Sequence, residues 1–227
     1  MPRAPLSVSG DHVITVRDLG RTDYLEALAL QRACQAARAD GEAPDTLFLT
    51  EHEPVLTLGR THPEPDLRQP MAAVEAAGIS IVQTERGGDI TYHGPGQLVV
   101  YGIIDIKDWG IGAVDYVSGL EEAAIRLLGE WGITARRRAQ ARGAWVGERK
   151  IASVGVNVRR HVAMHGIAIN LAPDLEHFAL INPCGLAGVE MTSVLRETGR
   201  NISVPEAGAA FVRQFEAVFG CSAIMRT

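Results

Sequence analysis

Cys184 lies in Ile181-Asn182-Pro183-Cys184-Gly185-Leu186, a stretch shaped by proline and glycine rather than by helical or strand periodicity. A thiol on such a loop is open to a substrate, and a neighbouring ammonium lowers its pKa towards the nucleophilic thiolate. Lysine stands at two positions only, Lys107 and Lys150, among 22 basic residues, so arginine serves wherever charge alone is needed. Unlike a guanidinium, an amine can lose its proton when desolvated. Lys107 sits near Asp105 and Asp108 as an ordinary surface charge. Lys150, in GERKIASVGV, is the better candidate acid and base. A Cys184/Lys150 pair can carry out acyl transfer: thiolate attack makes a thioester while the amine returns and accepts protons. Two surviving lysines are also open to explanation by chance.

A second constellation is RGGDITYHGPGQ, residues 86–97, which runs into the apolar LVVY. Its glycines let backbone approach a ligand, Tyr92 and His93 supply ring walls, and Arg86 can reach an acceptor. The same residues also make an irregular tight link between strands. The segment matches neither GxxxxGK[ST] nor GxGxxG between a strand and a helix, so phosphate chemistry is poorly supported. His161 and His165 have HxxxH spacing on an expected strand, where four residues span about 13 Å, too far to share one zinc. His12, His52, His62 and His177 are isolated, and no metal is assigned.

Elements must bring these residues together. Asp23 with Glu26 is read as a capping box opening a helix that ends near Gly41, with Ala27, Leu30, Cys34 and Ala37 facing inward. A second helix is expected from Asp115 to Trp131, and a third after Ser203-Val204-Pro205 with Phe211, Phe215, Val218 and Phe219 inward. Short strands are expected at 13–16, 46–49, 55–58, 79–83, 98–106, 144–146, 151–158 and 162–171. Several follow one another without a helix between, which predicts an α+β domain with a mixed, mostly antiparallel sheet. A two-residue turn at Arg159-Arg160 would set Val158 opposite His161, Val154 opposite His165 and Ser153 opposite Gly166. Ser153, Gly155, Gly166 and Ala168 then share one face, forming either a groove or a seat for another backbone. Residues 61–70 (THPEPDLRQP) read as a loop long enough to cover a site.

At 227 residues the chain suits one domain, 1–227. No apolar run approaches the roughly 18 residues of a membrane span, and the N-terminus lacks a signal-like apolar region, so a cytoplasmic protein is expected. Cys34, Cys184 and Cys221 are too few and scattered for a disulfide scaffold. A net charge of −5 speaks against a nucleic-acid binder. Arg136, Arg137, Arg138 and Arg142, with Arg149, Arg159 and Arg160, read as a solvated basic face or as a dock for an acidic protein.

RGGDITYHGPGQLVVY, GERKIASVGV, MHGIAIN and INPCGL with Thr192-Ser193 after it, in this order, resemble the octanoyl-[acyl-carrier-protein]:protein N-octanoyltransferases of lipoate biosynthesis. The resemblance runs from about Asp23 to the last helix and implies the α+β fold of the biotin and lipoate protein ligase catalytic domains. It implies Cys184 as nucleophile and Lys150 as its activating acid and base. An octanoyl site is implied at Arg86, Gly87, Gly88, Asp89, Ile90, Thr91, Tyr92 and His93, at Ser153, Val154 and Gly155, and at Gly166, Ile167 and Ala168, with His165 in support. The implied donor is octanoyl-acyl carrier protein. The implied acceptors are lipoyl domains of 2-oxoacid dehydrogenase E2 subunits and the glycine-cleavage H protein, with no cofactor. An ATP-dependent lipoate or biotin ligase, a noncatalytic lipoyl-domain binder and a cysteine hydrolase are the alternatives. Residues 1–9 and 221–227 match nothing in the resemblance.

Overall fold

The computed structural model describes residues 8, 11–60, 66–138, 141–182 and 188–226. In chain order the elements are β1 (Val13–Thr22), α1 (Tyr24–Ala39), β2 (Thr46–His52), β3 (Val55–Leu58), α2 (Met71–Ala76), β4 (Ser80–Gln83), β5 (Thr91–His93) and β6 (Gln97–Ile103). They continue with α3 (Ala113–Glu130), β7 (Arg136–Arg138), β8 (Ala141–Val146), β9 (Arg149–Arg159), β10 (Val162–Asn170), a 3-10 turn (Leu175–Leu180), α4 (Val194–Thr198), α5 (Val204–Phe219) and β11 (Ser222–Arg226).

The eight-stranded sheet has the order β11-β1-β2-β6-β10-β9-β8-β7, parallel at β11-β1-β2 and antiparallel elsewhere. It is the mixed, mostly antiparallel α+β architecture that the spacing of the strands predicts. The closing residues, silent in sequence, form β11 at its edge beside β1. Strand alternation sorts the two faces. Leu47, Leu49, Leu98, Val100, Ile167 and Ile169 pack under α3 and α5, whereas Phe48, Val99, Tyr101, Met164 and Ala168 face α1. A three-stranded sheet, β4-β3-β5, flanks the α1 side.

Asp23 caps α1 by accepting the N–H groups of Leu25 and Glu26, which a helix start leaves without partners. The buried stripe of α1 is Tyr24, Ala27, Leu28, Gln31 and Gln35 rather than Ala27, Leu30, Cys34 and Ala37. Two glutamines turn inward because the sheet offers them backbone partners: Gln35 Nε2 donates to Val162 O at 2.9 Å, and Gln31 Oε1 accepts from His165 N at 3.1 Å. Cys34 is half-buried, and burial raises its thiol pKa. Ser203 caps α5, and Gly220 ends it at φ 67°.

The β9-β10 register differs from the expected one by two residues. The turn is Arg160-His161, both left-handed (φ 49° and 67°), so Arg159 pairs with Val162. Val158 faces Ala163, Val154 faces Ile167, and Ser153 faces Ala168. Two left-handed residues match the right-handed twist of the flanking strands, which an Arg159-Arg160 turn would not have supplied. Side-chain alternation has period two, so this slip leaves Ser153, Gly155, Gly166 and Ala168 on their expected shared face.

Candidate functional site

One narrow cavity lies between α1, the loop before β5, and strands β6, β9 and β10. Its lining includes Arg86, Gly87, Gly88, Asp89, Thr91 and His93, together with Ser153, Val154, Gly155, His165, Gly166, Ile167 and Ala168. Three segments distant in sequence thus meet at one site. Ile90 and Tyr92 do not line it. Alternation along β5 turns Tyr92 the other way, with Ile90, into a separate apolar cluster containing Phe178 and Met191. There the Tyr92 hydroxyl meets His177 Nδ1 at 2.8 Å, and burial raises its pKa to about 12.

The four small residues serve both as a groove and as a seat for backbone. A Cβ on Gly155 would lie 2.7 Å from Gly87 O, while Gly87 N donates to Val156 O at 2.9 Å, so the loop rests on β9. On its other side a Cβ on Gly59 would overlap Gly88 O, a constraint the sequence analysis missed. Arg86 is buried and spans the floor. Its Nε donates to Thr57 Oγ1 at 3.1 Å and its Nη2 to Thr57 O at 2.5 Å.

His165 reaches the cavity by breaking the strand rule. At φ 64° its N–H leaves the ladder for Gln31 Oε1, and its ring joins Tyr101 on the α1 face at 6.3 Å between centroids. Both of its ring nitrogens are buried without a hydrogen bond, as are Gln31 Nε2 and Thr91 Oγ1. Burial lowers the His165 pKa to about 4.

Tyr24, Val99 and Tyr101 complete the wall, and sequence reading singled out none of them for the site. His52, taken as isolated, is folded against them, with Nε2 2.7 Å from Tyr101 Oη. Burial drives His52 to a pKa of about 4 and His93 well below the ordinary imidazole value. Burial also raises Tyr24 to about 12 and Tyr101 well above its ordinary value. At neutral pH the aromatic wall is therefore uncharged.

Lys150 is only 2% exposed and does not line the cavity. Its Nζ lies 5.4 Å from the Trp145 ring centroid, and a Cβ on Gly143 would come within 2.9 Å of its Cε. Its backbone is clamped to the chain that follows the cysteine loop: Lys150 N donates to Glu190 O and Thr192 N to Lys150 O, each at 2.9 Å. Cys184 lies outside the described residues. The chain just before it is tied to the end of the 61–70 loop, since Asn182 N donates to Asp66 O at 3.0 Å and Arg68 Nε to Asn182 Oδ1 at 2.5 Å. Cys221 is buried, and its thiol is pushed up to about 12. A thiol held protonated in this way is a poor nucleophile.

Arg136, Arg142, Arg159 and Arg160 are exposed, as a solvated basic face requires, while other members of the cluster are engaged within the fold. Arg137 bonds to Glu122 at 2.7 Å and Arg142 to Glu121 at 3.2 Å, both carboxylates being buried in α3. Arg138 covers the Trp145 ring at 4.5 Å, and Arg149 grips Glu197 through two nitrogens at 3.0 Å. The Arg136–Arg138 run is thus partly structural, a use that the charge count hid. His12, Asp45 and Asp108 come within 4.8 Å of one another, but Asp45 already accepts Arg38 Nε and Trp109 Nε1, each at 2.7 Å. A guanidinium stands where a cation would bind.

Among the described residues, no helix is long and apolar enough to cross a membrane. Residues 23–216 match the family model "Lipoyl protein ligase A/B catalytic domain". Proteins named octanoyltransferase are similar over most of the chain. The Syntrophobacter fumaroxidans protein is 48% identical over 83% of this chain and 83% of its own length. That of Solibacter usitatus is 45% identical over 90% and 92%. In fold the chain resembles the bi-partite lipoate protein ligase of Thermoplasma acidophilum, with TM-score 0.66 at 16% identity over 96% of this chain and 87% of that one. It also resembles the biotin protein ligase of Aquifex aeolicus, with TM-score 0.52 at 11% identity over 93% and 71%.

Proposed function

The chain belongs to the lipoyl protein ligase A/B catalytic-domain family, and from that membership we propose that it is an octanoyltransferase, moving an octanoyl group from acyl carrier protein to a lysine of a lipoyl domain. The supporting observation is that the three motif segments around Arg86, Ser153 and Gly166 wall one cavity in a chain 48% identical to a protein named octanoyltransferase. As it stands the cavity holds about 40 Å³, little more than a water's share of liquid volume.

In this reading the Cys184 thiolate attacks the octanoyl thioester carbonyl. A new carbon–sulfur bond forms, the donor's carbon–sulfur bond breaks, and the Lys150 ammonium protonates the departing thiolate. The neutral amine of the acceptor lysine then attacks the acyl-enzyme, Lys150 takes the proton it loses, and Cys184 leaves as thiolate. Oriented donors nearby stabilise the oxyanion of each step. The donor is already an activated thioester, so ATP is not required. The acceptors in this reading are lipoyl domains of 2-oxoacid dehydrogenase E2 subunits and the glycine-cleavage H protein.

Intact mass spectrometry after mixing with octanoyl-acyl carrier protein tests this directly. The expected result is an increment of one octanoyl group, absent in Cys184→Ser and chased onto a lipoyl domain without ATP. Strict ATP dependence would make the protein a ligase, release of free octanoate a hydrolase, and binding without acylation a noncatalytic lipoyl-domain binder.

A further inference from the structure

A hydrogen-bonded chain of buried side chains runs from the cavity to the strand edge of Lys150, and none of its middle members belongs to the motif roles above. Asn170 Nδ2 lies 2.9 Å from Thr192 O, Gln97 Nε2 lies 2.9 Å from Asn170 Oδ1, and Gln97 Oε1 lies 3.2 Å from His93 Nδ1. His93, Gln97, Asn170 and Thr192 are all buried. Gln97 and Asn170 face each other directly in the β6-β10 register.

Every direction in this chain is fixed from one end. A backbone carbonyl only accepts, so Asn170 must turn its NH2 towards Thr192 and its oxygen towards Gln97. That oxygen also only accepts, so Gln97 presents its NH2 to Asn170 and its own oxygen to His93. The remaining pair requires a hydrogen on His93 Nδ1. A neutral imidazole carries one N–H, which leaves Nε2 as a bare acceptor. His93 lines the cavity, and its Nε2 has no hydrogen-bond partner among the described residues.

We propose that Gln97 and Asn170 are positioning residues that hold His93 as the Nδ1–H tautomer, so that Nε2 accepts a hydrogen bond from the amine of the acceptor lysine. This rests on the octanoyl-transfer reading. The octanoyl tail carries no donor and the thioester none. The incoming amine is the reactant with N–H groups at the reacting centre. The same relay steadies Lys150, because Thr192 receives Asn170 through its carbonyl and holds Lys150 O through its N–H.

Tyr24 from α1, His52 from β2, Arg86 from the loop and His165 from β10 face the His93 ring. Burial first, then the neighbouring His52 and Arg86, hold its pKa well below 6.5. Side-chain 15N NMR of the full chain without substrate should show a protonated Nδ1 and an unprotonated Nε2 at neutral pH. Gln97→Glu places a carboxylate at Nδ1 and raises the His93 pKa. The imidazolium cannot accept, so the acid limb for transfer to lysine should move to higher pH. Deacylation onto the acceptor lysine should slow by about tenfold, the worth of one hydrogen bond, and by more than acylation from the donor.

If that variant does not fold, His93→Gln, whose oxygen can stand near Nε2, should retain more deacylation than His93→Leu. An Nε2–H tautomer or a charged His93 at pH 7 in the wild type would overturn the proposal. So would an unmoved acid limb in folded Gln97→Glu, or equal rates for the two His93 variants. A wild type that transfers no octanoyl group would sink the functional reading and the amine's role with it, while the NMR tautomer would still report on the relay.

Discussion

The residues to which the proposed reaction assigns its chemistry were the most legible in sequence where composition singled them out. Lys150 stood out because arginine takes nearly every other basic position, and the fold buries it against Trp145. Tyr24, His52, Gln97 and Asn170 carried no such mark. Strand pairing and helix packing bring Tyr24 to the cavity wall and His52, Gln97 and Asn170 into hydrogen-bonding reach of wall residues or of one another, and a linear pattern does not encode those contacts. Lys150→Met keeps the apolar stem over Trp145 and removes the transferable proton. It should leave the fold intact, as read by circular dichroism, and lower octanoyl transfer by roughly 10²–10⁴. Lys150→Arg should fail similarly, since a guanidinium does not give up its proton. Turnover near wild type in either variant would remove the lysine from the mechanism.

At the scale of elements, hydrophobic periodicity placed α3, α5 and most strands, because burial of one face governs which residues repeat. It misread α1, where Gln31 and Gln35 face inward to meet backbone groups of β10. Pattern reading assumes that inward means apolar. It also misread the β9-β10 turn, because Arg160 and His161 hold left-handed backbone that favours glycine or asparagine. His161 is exposed at φ 67°, and His161→Gly should relieve a strain of about 1 kcal/mol. Thermal unfolding should shift upward by roughly 2–4 °C. A lower midpoint would mean that the imidazole makes a contact worth more than the strain. Gly155→Ala tests the opposite case: its methyl would press on Gly87 O, so the loop should shift and stability fall by about 1–3 kcal/mol.

The molecule as a whole buries three imidazoles, His52, His93 and His165, within one polar aromatic wall, and this makes folding sensitive to mild acid. Each has its pKa lowered by burial, to about 4 for His52 and His165 and well below 6.5 for His93. Between those values and about 6.5 the unfolded chain binds protons that the folded one does not, so stability rises with pH across that window and is lost as pH falls through it. Three carboxylates add to the loss at the lower end. Glu85 is lowered chiefly by its hydrogen bond from Arg32. In Glu122 and Glu197 burial acts the other way, but Arg126 and Arg137 in the first case, and Arg149 and Thr192 in the second, outweigh it. Their stabilisation is full above the unfolded carboxylate range and disappears as pH drops through their folded values. Urea unfolding from pH 8 to 4 should therefore give a flat plateau down to about 7 and then a steep fall, with one to three protons taken up on unfolding near pH 5. His52→Gln, which keeps polar atoms at a site that never charges, should flatten that slope by up to one proton. A stability curve level to pH 5 would show that these rings are already protonated in the fold, and the uncharged wall around the cavity would have to be abandoned.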